Sequence, residues 1–129
     1  MTSSLSGDKQ AGAGIHRIAL GKQKVALEPG VPYKWTVALV SDPANRSQDV
    51  ITSAAIQRVP LGKDLEAALK NSAPGDKAAV YAQNGVWYDA VEAITAEIDK
   101  TPKDAGLRKM RADLLAANGL KKAAAYDRK

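Results

Sequence analysis

The chain contains no cysteine, no phenylalanine and a single histidine. Without cysteine there are no disulfides and no thiolate chemistry. With His16 as the one imidazole, a structural or catalytic zinc site built from Cys and His is excluded as well. Aromatic residues make up 5% of the sequence, and much of the 45% apolar content is alanine. Such a composition gives a modest core, better suited to closely packed helices than to a thick sandwich. No stretch approaches the roughly 18 consecutive apolar residues that cross a bilayer. The opening, MTSSLSGDKQAGAG, has neither the basic n-region nor the apolar h-region of an export signal. Walker glycine loops, Rossmann fingerprints and DxDxDG calcium loops are also missing.

What is present begins with charge. Nineteen bases against fourteen acids leave a net +5. The excess is scattered except around residues 103–111 and 121–129, so it serves solubility first. Arg108 and Arg111 are i,i+3 neighbours near Lys103 and Lys109, but Asp104 and Asp113 dilute that patch. Nucleic acid is therefore not the expected partner.

At 129 residues the chain has the length of one domain. Residues 1–13 read as a flexible polar arm. Residues 14–59 read as an antiparallel β region. IHRIAL (15–20) has some strand character. YKWTVALV (33–40) places Tyr33, Trp35, Val37 and Leu39 on one face, and VITSAAIQRV (50–59) follows after the polar turn SDPANRSQD. Three strands are too few to stand alone, which calls for a helical layer packed on them as one domain. From Pro60 onward the period becomes helical. Helices are expected over 64–71, over 74–83 with Ser72 as a nearby cap, from Trp87 to near Lys100, through Leu107–Leu115, and in the alanine-rich stretch to Tyr126. The fold class is α+β, a small antiparallel sheet on four to five helices in 60–129.

The helical region repeats itself weakly. Asn84-Gly85 recurs as Asn118-Gly119, 34 residues on, with Val80 matching Leu114 and Ala90 matching Ala124. Thirty-four is the period of tetratricopeptide (TPR) repeats, and GVWYDAVEAITAEIDKTPKDA reads as the second helix of one. One and a half such units need a neighbour to stand on.

Three segments carry a family resemblance. LEPGVPYKWTVALVSDPANRSQDVITSAAIQRV (27–59) holds a glycine turn, Tyr-x-Trp in a strand, Asp-Pro and Arg-Ser in a turn, and an Ile-x-Arg-Val end. NGVWYDAVEAI (84–94) and LLAANGL (114–120) follow in order. Over about residues 14–125 the chain resembles the bacterial, mostly cyanobacterial, family of unknown function numbered 928. That resemblance implies a periplasmic or extracellular protein after signal removal. Family members usually carry further early strands, including a Pro- and aromatic-rich segment, which this chain lacks. The family brings no established activity, and so no mechanism.

No constellation of residues points to an enzyme. His16 has no nucleophile beside it in sequence. Asp42, Asn45 and Asp49 share one turn, where such residues ordinarily bond local backbone, so no metal and no cofactor are assigned. Asp89 and Glu92 sit at a helix start, where their charge favours the free N–H groups. Trp87, Val91, Ile94 and Ile98 form an i,i+4,i+7,i+11 stripe, which is a packing face. With Trp35 and Leu114 they make the expected core. Arg46 and Arg58 are expected to pair with Asp42 or Asp49 across the hairpin, or to offer a fork to an anionic group. With Tyr88, Arg108 and Arg111 they are the candidate partner-binding residues. The expected function is a non-enzymatic protein-binding or assembly role, in which TPR-like helices and exposed sheet edges hold another protein or further copies of the chain. The alternative is a small-ligand or enzymatic site at the sheet–helix seam, near Trp35, Tyr88 and Arg58.

Overall fold

The computed structural model describes residue 12 and residues 14–129. The arm expected over residues 1–13 lies, apart from Gly12, outside the described residues. The chain divides into two compact units: Ile18–Lys63, and Asp64–Lys129 together with residues 14–17. The architecture is α+β, a two-stranded antiparallel hairpin followed by five helices.

In the first unit, β1 (Pro32–Leu39) pairs with β2 (Val50–Gln57) in a register running from Pro32↔Gln57 to Leu39↔Val50. Alternation in β1 and the β-branched Val50, Ile51, Thr52 and Ile56 favour this extended pairing. The connection is shaped by its polar side chains. Asp42 Oδ1 accepts from Ala44 N at 2.9 Å, and Asn45 Oδ1 accepts from Ser47 N at 3.3 Å and Ser47 Oγ at 2.5 Å. Asn45 thereby caps a short 3-10 turn, Arg46–Gln48. At the other end of the hairpin, Gly30 N donates to Arg58 O at 2.8 Å with φ at 78°, a backbone state that glycine adopts without Cβ strain. Gln57 Nε2 then donates to Gly30 O at 2.9 Å.

The third strand expected over residues 15–20 does not form. That segment runs as irregular chain into a 3-10 turn, Leu20–Gln23, closed by Lys24 in the left-handed region at φ 56°. Ile15 and Ile18 are three apart, so they do not share the period-two face that a ladder would need. Among the described residues the sheet has two strands.

The helical unit is built from α1 (Lys63–Asn71), α2 (Lys77–Gln83), α3 (Trp87–Lys100), α4 (Ala105–Ala117) and α5 (Lys121–Asp127). Asp64 and Glu66 favour the first turn of α1. Ser72 does not cap the next helix; its Oγ donates back to Ala68 O at 2.5 Å, satisfying a terminal carbonyl of α1. Pro74 opens a 3-10 turn, Pro74–Asp76, that feeds α2. Asp104 caps α4, its Oδ1 accepting from Gly106 N at 2.8 Å and Leu107 N at 3.1 Å.

The 34-residue echo is expressed in the backbone. After α2, Gly85 N donates to Ala82 O and Val86 N to Tyr81 O. After α4, Gly119 N donates to Ala116 O and Leu120 N to Leu115 O. Both are Schellman closures with glycine at positive φ, 73° and 82°. Each asparagine adds a side-chain bond four residues back, Asn84 to Val80 O and Asn118 to Leu114 O. Helices α2 and α3, α3 and α4, and α4 and α5 pack in succession.

Two clusters make the core of this unit. Ala78, Ile94 and Ile98 meet Ala93, Leu107 and Leu114. Ala112, Leu115 and Ala124 meet Trp87, Ala116 and Ala123. Trp87 Nε1 donates to Leu114 O at 3.1 Å, so the indole ties the start of α3 to α4. Val91 is half-buried on the same stripe. Trp35, placed in the core from the alternation of β1, instead retains 37% of its surface exposed.

Candidate functional site

Of the candidate partner-binding residues, Arg46 and Arg58 belong to the hairpin unit and Tyr88, Arg108 and Arg111 to the helical unit. Arg46 Nε donates to Asp49 Oδ2 at 2.6 Å, within the turn and not across the hairpin. The Asp49 side chain is 5% exposed, whereas that of Arg46 is 62% exposed. Arg58 finds a carbonyl and not an acid: its Nη1 lies 3.4 Å from Leu27 O. Arg46 and Arg58 sit at opposite ends of the hairpin, separated by the eight residues of a strand, roughly 26 Å at the ordinary rise.

Tyr88 stands at the surface edge-on to Trp87, ring centroids 5.2 Å apart at 73°. Arg108 is half-buried, and its Nε is enclosed with no hydrogen-bond acceptor among the described residues. Asp42 and Asn45 are occupied by their own backbone, as described for the turn. His16 lies exposed, its Nε2 2.8 Å from Gly12 O. Among the described residues no three of His, Cys, Asp or Glu converge as a metal site, and no helix is long and apolar enough to cross a membrane.

Arg111 departs most from its expected place. It was a surface cation in the sequence reading and is an interior one in the structure. Its Nε donates to Asp127 Oδ2 at 2.7 Å, its Nη2 to Asp127 Oδ1 at 2.6 Å, and its Nη1 to Thr95 Oγ1 at 3.3 Å. The two side chains are 9% and 2% exposed. The guanidinium therefore joins α3, α4 and α5 in one fork-to-fork pair. Thr95 in turn donates to Val91 O at 2.6 Å. Sequence reasoning missed Asp127 and Thr95. The available signal was that Arg111 lies on the apolar stripe of α4, four after Leu107 and four before Leu115.

On the surface of the helical unit, Arg17 bridges two acids of α3, with Nε 3.1 Å from Glu92 Oε2 and Nη1 3.1 Å from Asp99 Oδ2. Asp113 of α4 receives Arg128 Nη2 at 2.8 Å and Lys109 Nζ at 2.9 Å. Those two hydrogen bonds, Arg128 first, hold the Asp113 carboxyl below the usual aspartate range. A depressed folded-state value gives a contribution that is present above the unfolded value and lost as pH falls through the folded one. An NMR titration of the Asp113 carboxyl carbon should show a midpoint below the ordinary value of about 3.9, returning toward it in Arg128→Ala. A midpoint unchanged by that substitution would break the attribution.

The family model for the Domain of Unknown Function (DUF928) matches residues 3–127, nearly the whole chain. The chain belongs to the DUF928 family. No curated protein and no solved structure matches it. In this DUF928 chain the conspicuous WYD triplet of α3 is a packing element at Trp87 and a surface at Tyr88 and Asp89.

Proposed function

We propose that this DUF928 chain is a non-enzymatic protein-binding or assembly protein, presenting TPR-like helix hairpins and open sheet edges to another protein or to further copies of itself. The observation that carries the reading is the hairpin. Val37, Leu39, Val50 and Ile51 are all exposed, between 48% and 67%, on a sheet of two strands among the described residues. A two-stranded hairpin is marginal in water, and an apolar strand with an outer edge is a template for pairing with another chain. The matched closures after α2 and α4 support the repeat-like reading of the helices, since stacked helix hairpins offer extended surfaces to protein segments.

Light scattering across a concentration series tests the assembly arm. The expected result is a mass above the 13.6 kDa of one chain that rises with concentration. A constant single-chain mass would remove self-association.

A further inference from the structure

The last two helices and the residues that flank them carry the whole charge imbalance of the protein. Residues 103–129 hold eight bases and three acids, which accounts for the entire +5, and the remaining residues balance. Much of the acidity in this stretch is already engaged. Asp127 is buried on Arg111, Asp104 caps α4, and Asp113 is bonded by Lys109 and Arg128. Lys103, Arg108, Lys121, Lys122 and Lys129 have no ion-pair partner among the described residues.

The 34-residue register shows where these charges stand. The inner faces of the two hairpins correspond: Ala78 matches Ala112 and Ala90 matches Ala124, all at most 2% exposed. The outer faces do not. In α3, Trp87 and Ile94 meet α4. The corresponding positions are Lys121 at the start of α5 and Arg128 at its C-cap, with the exposed Ala125 between them. The α5 positions that correspond to the α4-binding face of α3 are thus basic where α3 is apolar; Arg128 is held by Asp113 of α4, which leaves the charge on Lys121 and its neighbour Lys122, beside the exposed Tyr126 ring. A further apolar helix gains nothing there, whereas a negatively charged one gains Coulomb attraction.

We infer that the outer face of α5, centred on Lys121 and Lys122, docks an acidic segment of a partner protein. The inference rests on the protein-binding reading above and names the chemistry of the partner. Among the described residues lysine, not arginine, supplies the unpaired charge of this face. This suits the diffuse charge of Glu- and Asp-rich segments better than bidentate grip on phosphate.

The test uses the full chain and a fluorescein-labelled oligoglutamate peptide, read by anisotropy at about 50 mM and about 300 mM salt. Binding should weaken steeply with salt. Lys121→Glu/Lys122→Glu should lose about tenfold in affinity or more. Lys22→Glu/Lys34→Glu, the same charge change in the hairpin unit, should lose less than about twofold. Equal losses in the two variants would overturn the site, because net charge alone would then explain binding. Tighter binding of the wild type to phosphatidylglycerol vesicles or to single-stranded DNA than to the peptide would overturn the partner class. Circular dichroism of both variants confirms folding. Light scattering of the same samples separates the two readings: self-association with no peptide binding sinks this inference alone.

Discussion

Asp127→Ala should destabilise the protein by about 3–5 kcal/mol, with the largest local loss at the C-terminal helix. The reason is the charge left behind. Arg111 is enclosed by α3 and α5 with a side chain 9% exposed, and removing Asp127 takes both of its short bonds while leaving the guanidinium in place. Thr95 at 3.3 Å is a single neutral acceptor and cannot replace a carboxylate. A domain of this size has a total stability of about 5–15 kcal/mol, so the loss is a large share of it. Helix α5 has seven residues, too short to persist without its tertiary contacts. Amide exchange in residues 121–127 should therefore accelerate more than in α3. The pair itself is a different quantity from the cost of breaking it. Arg111→Met/Asp127→Leu removes both charges, and its loss should be well below that of Asp127→Ala, since a buried pair and an apolar replacement are often close in energy. Urea denaturation of the wild type and the two variants decides the matter. If Asp127→Ala costs less than about 1 kcal/mol, the pair behaves as a surface salt bridge and the burial argument fails.

The same residues mark how far the sequence could be read. Helix α3 was legible at both ends, because the Trp87–Val91–Ile94–Ile98 stripe has one period throughout and Thr101-Pro102 stops it. The two Asn-Gly closures were legible because glycine after a periodic stretch has a specific backbone use. Strand β1 was legible from alternation alone. The segment 15–20 was misread for a definite reason: a strand is a pairing, and apolar composition does not supply the partner. Arg111 was misread for another. Charge is assigned to the surface by default, and only its place on the stripe of α4 argued otherwise, with the partner sixteen residues away on a different helix. Ser72 shows the same limit at short range. A hydroxyl between two helices can cap the second or close the first, and the sequence does not rank the two. The candidate site was the least legible part. Its residues were chosen for chemistry one by one, and the fold sends Arg46 and Arg58 to opposite ends of a hairpin and Arg111 inside. The register that makes the outer face of α5 basic becomes visible only when the two helix hairpins are laid on each other.

Ile94→Ala is expected to cost about 2–5 kcal/mol, comparable with loss of the buried pair and by an unrelated route. Ile94 is fully buried, and it meets Ala78 of α2 on one side and Leu107 and Leu114 of α4 on the other. The alanines of its cluster, Ala78 and Ala93, are small, and helix backbones that approach closely over small side chains cannot collapse far into a vacated space. The cavity term should therefore sit toward the upper part of that range. Because Ile94 touches both flanking helices, α2 and α4 should loosen together, giving one cooperative transition at lower denaturant with an unchanged slope. Val50→Thr is the matched control. Val50 is 67% exposed on the hairpin, and its replacement by the nearly isosteric but polar threonine should change stability by no more than about 0.5 kcal/mol in the isolated chain. Under the assembly reading that same substitution should lower the light-scattering mass. Ile94→Ala reports on the fold and Val50→Thr on the surface, so the two measurements together separate a chain that unfolds from one that no longer finds its neighbour.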